Sequence, residues 1–421
     1  MFRKFFACAA GALLTASVAS AIDWNDPRSV VDAALAASPA LREIDANIAA
    51  ARARLRGAGA TPNPVLMGGL QNEQIDFSRD PMTMYMVGAS QTFVRGERHD
   101  VLRRIAQLDV ERLQAEKQSR RAEITRDVLI AYDEGAAATS ETAANEEIAT
   151  LASMMSDAAR SRYEVGTAAQ SDIIRAKVEA SNIRHSVLMQ RGVRESALAR
   201  LRALLNLTAT DAIPSFALPQ HSMEERVATD VTAFDASTPA IAALQADVAR
   251  REEEIRLAKL IGKPDFSVDA SYGFRPEQKD MFSVVGRIEL PIRKSTTVEP
   301  RVAEAIAERD ASRAKIAILQ QQLIAAFGEA VAARNEAIDQ MNLHVEQLVP
   351  EAKLGFESAL TSYQSGQTTF DSVLGALQTY RSLSVDYYEF LRQLLIAESE
   401  IDALRHGAAV RSGAVAMGGT Q

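Results

Sequence analysis

PDFSVDASYGFRPEQKDMFSVVGRIEL, residues 264–290, changes side chain character at every step. In an extended chain Phe266, Val268, Ala270, Tyr272 and Phe274 share one face, and Asp265, Ser267, Asp269, Ser271 and Gly273 the other. After Arg275-Pro276-Glu277 a second run sets Phe282, Val284, Gly286, Ile288 and Leu290 against Ser283, Val285, Arg287 and Glu289. The period of two predicts strands over 264–274 and 281–291. About ten residues is also the length of a strand that crosses a bilayer in a β-barrel. On that reading Phe266, Val268, Tyr272 and Val284 face lipid, while Asp265, Asp269, Arg287 and Glu289 line the barrel lumen.

The hairpin has a counterpart 200 residues earlier. Strands are expected over 64–73 and 82–94, bounded by Gly96, with the alternation blurred by Gly68, Gly69 and Met82, Met84 and Met86. Thioethers are soft copper(I) ligands, but methionines at i, i+2, i+4 on a strand read first as one packed face, and no metal site is assigned. The same offset relates Ser38-Pro39-Ala40-Leu41 to Thr238-Pro239-Ala240-Ile241, and Asn63-Pro64 to Lys263-Pro264. It also relates Tyr163-Glu164-Val165-Gly166 to Tyr363-Gln364-Ser365-Gly366. The chain therefore divides into repeats 22–207 and 230–406. A linker over 208–229 holds the helix breakers Pro214 and Pro219, and a flexible tail follows over 407–421.

Each repeat reads as helix, β-hairpin, very long helix, helix. The long helices, 96–163 and 297–363, contain no proline except Pro300 and Pro350. Such a helix measures about 100 Å at 1.5 Å per residue. Ile316, Leu319, Leu323, Ala326, Ala330, Ala333 and Ala337 form a seam whose small residues allow close helix approach.

Composition narrows the function. Aromatics are 5% of 421 residues and the net charge is -8, which excludes a basic nucleic-acid binder. Cys8 is the single cysteine, so no disulfide framework exists. Residues 1–21 read as a signal peptide, with Arg3 and Lys4 ahead of an apolar run and Ala19-Ser20-Ala21 at the cleavage site. No later stretch approaches 18 unbroken apolar residues, which argues against a helical inner-membrane protein but not against a β-barrel. His99, His185, His221, His344 and His406 are isolated, and neither a phosphate loop nor a nucleophile elbow is present. The sequence predicts no enzyme and no cofactor.

Four strands cannot close a membrane barrel, and open sheet edges do not stand in lipid. Two chains would give eight strands with a filled interior; three give twelve and room for a pore. These helix starts, the Asn-Pro strand start, Gly88-Ala89-Ser90-Gln91-Thr92-Phe93 and the paired Tyr-x-x-Gly turns together resemble the TolC family of outer-membrane channels. Asn63-Pro64 and the Gly-x-Ser-Gln-Thr-Phe piece resemble its cobalt–zinc–cadmium branch most. The resemblance covers nearly all of 30–406. It implies a mainly α fold with a β contribution: a homotrimer with a twelve-helix α-barrel across the periplasm and a 12-stranded β-barrel in outer-membrane lipid. The linker and both chain ends would form a belt at its equator. It further implies a periplasmic adaptor (membrane fusion protein) and an inner-membrane pump of the resistance–nodulation–division type as partners. Tyr163, Asp172 and Tyr363 match the family's periplasmic gate. Thr368 stands where some members have an arginine, and Ser372 and Gly375 replace an acidic pair, with Asp371 displaced by one. Asp172 and Asp371 also read as helix N-caps. Val165, Gly166 and Thr167, with Ser365, Gly366 and Gln367, resemble the turns that receive the adaptor's hairpin tips. Type I protein secretion and a pore-free periplasmic coiled-coil scaffold are the alternatives.

Overall fold

The structure is a computed structural model describing residues 22–71, 83–214, 216, 237–275 and 278–410. The signal-peptide segment, Met82, Pro276, Glu277, His221, most of the linker and residues 411–421 of the tail lie outside the described residues. The elements run α1 (Pro27–Ala37), α2 (Pro39–Gly57), β1 (Val65–Gln71), β2 (Met84–Phe93), α3 (Gly96–Glu164) and α4 (Gln170–Leu204). Then follow α5 (Pro239–Leu260), β3 (Phe266–Phe274), β4 (Met281–Ile288), α6 (Lys294–Thr297), α7 (Glu299–Leu343), a π turn (His344–Leu348), α8 (Val349–Gln364) and α9 (Phe370–Arg405).

The repeated Ser/Thr-Pro start is a helix start signal. The Leu41 N–H donates to Ser38 Oγ (3.3 Å), while Pro39 opens α2 at a position that needs no N–H donor. Asp26 and Pro27 begin α1 the same way, with Asp26 Oδ1 accepting from the Arg28 N–H (3.0 Å).

The described chain forms two compact units, each drawing on both sequence repeats. One contains the sheet, with α2, α5 and the neighbouring ends of α3 and α7. Its strands are antiparallel in the order β1-β2-β3-β4, leaving β1 and β4 as edges. Ile48 and Ala51 of α2 meet Val110 and Leu113 of α3 in its helical part. Ion pairs tie α5 to α7, among them Arg251–Glu308 (2.5 Å) and Arg313–Glu252 (2.7 Å).

The other unit holds α1, α4, α8, α9 and the remaining parts of α3 and α7, and has two main cores. In one, Trp24, Val30 and Ala34 pack with Val128, Tyr132, Leu201, Ile213 and Phe216. The Tyr132 hydroxyl donates to Trp24 O (2.8 Å) and its ring stacks on Phe216 at 4.3 Å. Burial pushes the Tyr132 hydroxyl up to about 12. In the second core, Phe356, Tyr363, Phe370, Val373, Leu377 and Tyr380 close on Ala152, Met155, Ala159, Ala176 and Ile183. Alanines on α3 and α4 admit the large residues of α8 and α9.

Two observations differ from the sequence reading, and a third adds to it. The second long helix is interrupted by the π turn before Pro350. Leu323 and Ala337 of the expected α7 seam are buried, but Phe327, Val331, Arg334, Ile338 and Met341 are buried beside them, and Ala333 of the seam is exposed. Finally, one 18-residue window within Lys294–Gln364 has a mean hydropathy of 1.4, apolar enough to cross a membrane by length and composition. It passes on average, because Ala, Ile and Leu dilute its polar positions, and the expectation that no stretch approaches 18 unbroken apolar residues still holds.

Candidate functional site

Register decides the two faces of the sheet. Phe93↔Phe266↔Ile288, Gln91↔Val268↔Gly286, Ala89↔Ala270↔Val284 and Val87↔Tyr272↔Phe282 are cross-strand rows on one face. Leu66 pairs with Ala89 and Leu70 with Tyr85, extending that face across β1. These rows hold only one strongly polar residue, Gln91, yet Leu66 is 82% exposed, Phe282 71% and Ile288 62%. A face so apolar and so exposed is built for a nonaqueous surrounding.

The opposite face carries Thr92↔Ser267↔Arg287, Ser90↔Asp269↔Val285 and Gly88↔Ser271↔Ser283. Arg287 reaches Asp269 Oδ2 at 2.8 Å. Asp269 is buried, and its Oδ1 has no hydrogen-bond partner among the described residues. Asp265 and Glu289, expected on this face, lie one residue beyond β3 and β4; Asp265 pairs with Arg98 (2.8 Å) and Glu289 is exposed. Met84 and Met86 also lie on the polar face. The Met84 side chain fills the space beside Gly273, where a Cβ would clash with its sulfur. That favours the packed-face reading.

The residues of the Gly-x-Ser-Gln-Thr-Phe piece have structural work to do. A Cβ on Gly88 would come within 2.7 Å of Ala270 O, and Gln91 Nε2 donates to Pro62 O (2.9 Å). The motif holds the strand start in place.

The second group of site residues surrounds two turns in the all-helical unit. After α3, Gly166 takes φ +76°, its N–H donates to Tyr163 O (2.9 Å), and the Thr167 N–H reaches Arg162 O (2.8 Å). After α8, Gly366 takes φ +82°, with Gly366 N–H to Tyr363 O (3.0 Å) and Gln367 N–H to Ser362 O (2.8 Å). Both are Schellman caps, which need the left-handed conformation that glycine supplies. Val165, Thr167, Ser365 and Gln367 ride exposed on these caps.

Around the turns, no hydrogen bond joins Tyr163 or Tyr363 to Asp172 or Asp371 among the described residues. Tyr363 is buried, edge-on to Phe370, and its hydroxyl has no hydrogen-bond partner among the described residues. Burial first, and Asp172 second, raise its pKa above the ordinary tyrosine value. Tyr163 is 44% exposed. Two arginines that the sequence reading passed over make the contacts instead. Arg162 lies over the Tyr363 ring, 4.6 Å from its centroid, and donates to Tyr363 O. Arg175 pairs with Asp371 (2.5 Å) and lies 5.7 Å from the Phe370 centroid. A cation on an aromatic face and a charged donor on a carbonyl are both attractive.

The capping assignment also changes. The N-caps of α4 and α9 are Ala169 and Thr369, so Asp172 and Asp371 sit in the first turns, where a carboxylate suits the helix dipole. Thr369 Oγ1 accepts from the Ser372 N–H (3.4 Å), which makes Ser372 a capping partner, while Thr368 is half-buried beside it. Further along, buried Glu141 accepts from Gln190 Nε2 and Arg392 Nη1, both at 2.7 Å. Buried Glu179 meets Arg381 at 3.2 Å and Gln378 at 3.1 Å. Charges inside alanine-rich helix faces were the available signal for these clamps. Among the described residues no group of three or more His, Cys, Asp or Glu could hold a metal ion.

The family profile described as outer membrane efflux protein matches residues 30–207 and 234–405. No curated protein matches the chain. Among solved structures, a membrane protein from Pseudomonas aeruginosa superposes with a TM-score of 0.80 at 20% identity, over 93% of this chain and 95% of that one. The channel protein CusC gives 0.78 at 16%, over 91% and 92%. The outer membrane protein VceC of Vibrio cholerae gives 0.75 at 16%, over 91% and 96%. The fold is thus the tandem-repeat α-barrel and β-barrel architecture of outer-membrane channels. The chain is a protein of the Gram-negative outer membrane that reaches into the periplasm, and it belongs to the outer membrane efflux protein family.

Proposed function

We propose that three copies of the chain form a passive efflux conduit from periplasm to exterior. An adaptor couples it to a resistance–nodulation–division pump, and metal cations or small toxic compounds are its cargo. The observation that carries this reading is a four-stranded sheet with one apolar exposed face, one polar face and two unpaired edges. Each edge needs a neighbour in lipid, and the smallest closure with an open lumen is threefold. The apolar face meets lipid, and Asp269 with Arg287 lines the pore.

In this assembly the paired turns form the periplasmic tip. Arg162 over Tyr363 and Arg175 with Asp371 brace the coils that narrow the aperture. The exposed cap residues 165–167 and 365–367 receive the adaptor. The metal assignment rests on the resemblance of Asn63-Pro64 and the Gly-x-Ser-Gln-Thr-Phe piece to the heavy-metal branch. A deletion strain challenged with zinc, cobalt, cadmium, nickel and copper beside dyes, detergents and antibiotics tests it. Sensitivity to metals, restored by the gene in trans, is expected. Sensitivity confined to organic compounds would reject metal as cargo and leave the conduit.

A further inference from the structure

At the base of the sheet, where strands hand over to helix α3, lies an open cleft of about 510 Å³. It is lined by Arg95, Gly96, Glu97, Pro264, Asp265, Phe266 and Ile288. Its two ends differ in chemistry. Phe266 and Ile288 belong to the exposed apolar face of the sheet and are themselves cross-strand partners. Phe266 also stacks on Phe93 at 5.1 Å, so the cleft's apolar wall continues the lipid-facing surface.

The other end is charged, and its charges are not equivalent. Glu97 is held by Lys263 Nζ at 2.6 Å, which keeps its carboxyl below the usual range. Asp265 is held by Arg98 at 2.8 Å. Both carboxylates are therefore compensated by cations outside the lining. Arg95 is exposed, and its side chain makes no hydrogen bond or ion pair among the described residues; its charge acts on Glu97 less than that of Lys263 does. The cleft thus offers one uncompensated guanidinium next to an apolar wall. The partner strand leaves the sheet in the same style, with exposed Leu290 and Ile292 followed by exposed Arg293 and Lys294.

We propose that this cleft binds the headgroup of an anionic phospholipid of the periplasmic leaflet, with Arg95 on the phosphate and Phe266 and Ile288 against the first acyl carbons. Guanidinium forks match phosphate oxygens, and basic pockets at a membrane surface select anionic headgroups. A neutral headgroup fills the same space but leaves the net charge of Arg95 uncompensated.

The test is native mass spectrometry of the full-length, membrane-extracted protein titrated with dioleoylphosphatidylglycerol or dioleoylphosphatidylcholine. The parent is expected to bind phosphatidylglycerol about fivefold more tightly than phosphatidylcholine, with Arg95→Gln removing that preference. Lys263→Gln, which releases the Glu97 carboxylate into the cleft without touching Arg95, should also weaken phosphatidylglycerol binding. Lys294→Gln, outside the cleft lining, should leave it unchanged, and inorganic phosphate should not compete. Equal binding of the two lipids by the parent, or an Arg95→Gln variant that assembles normally and keeps the preference, would overturn the proposal. So would equal losses in Arg95→Gln and Lys294→Gln, which would describe a diffuse basic belt instead of a site.

Discussion

Tyr363 is the residue at which the expected gate and the single-chain geometry can be compared most directly. A Tyr-x-x-Gly turn suggests a hydroxyl that locks, whereas the side chain is buried with that hydroxyl unpartnered. An unsatisfied buried hydroxyl costs about 1–3 kcal/mol, so Tyr363→Phe is expected to leave the melting temperature unchanged or raise it. Arg162→Ala, which removes a charged hydrogen bond, should cost about 1.5–3 kcal/mol. The Arg175–Asp371 pair is largely exposed, at 47% and 70%, and is worth about 0–1 kcal/mol. A raised tyrosine pKa means the neutral form is favoured in the fold. This contribution is full below about pH 10 and lost as pH rises through the higher folded value. Tyr363→Phe should therefore flatten the alkaline end of the melting profile, and an unchanged profile would show that Tyr363 does not titrate in a dry site. On the sheet, Val284→Arg on the apolar face should cost about 2–4 kcal/mol of insertion stability near the midplane, and Ser283→Arg about 0–1. Asp269→Arg is a poor comparison, because it would place two arginines together. Equal unfolding free energies for the Val284 and Ser283 variants would show that the face assignment is wrong.

At the scale of elements, period was the dependable signal. Strict alternation over 264–290 placed β3 and β4 within two or three residues of their observed ends, and the absence of proline marked α3 from Gly96. What period could not reveal was the turn inside the second long helix. An i→i+5 turn holds one residue more than an α turn. Here Gln340 O accepts from His344 Nδ1 (2.7 Å), and the buried His344 ring lies 5.3 Å from Phe390. Phe390 belongs to α9, distant in sequence, so no local pattern carries this contact. The α7 seam was placed only in part, since Phe327, Val331 and Ile338 are buried beside Leu323 and Ala337, and the N-caps of α4 and α9 fall on Ala169 and Thr369 instead of the aspartates. Deleting Val345 should convert the π turn to α-helix while keeping the register on both sides, lowering the melting temperature by only a few degrees. Deleting Ala332 from continuous α-helix should rotate every later residue by about 100° and abolish folding. Equal loss of folded protein from both deletions would show that the π turn does not hold a spare residue.

The whole molecule is the scale at which one chain is incomplete. The sequence supplied two hairpins and the duplication; the structure adds that all four strands form one sheet, with β1 and β4 at its edges. Unpaired edges invite further strands in water and cannot persist in lipid. The Schellman caps at Gly166 and Gly366 repeat the same geometry 200 residues apart, so each copy brings two equivalent helical turns to any assembly. Copy number is then what decides between a filled barrel and a conduit. The direct measurement is the mass of the full-length protein extracted from outer membranes in detergent, by light scattering with the detergent contribution subtracted. Three copies per particle, and so twelve strands, is the expected result. A stable monomer, or a dimer with eight strands and a filled interior, would contradict the conduit.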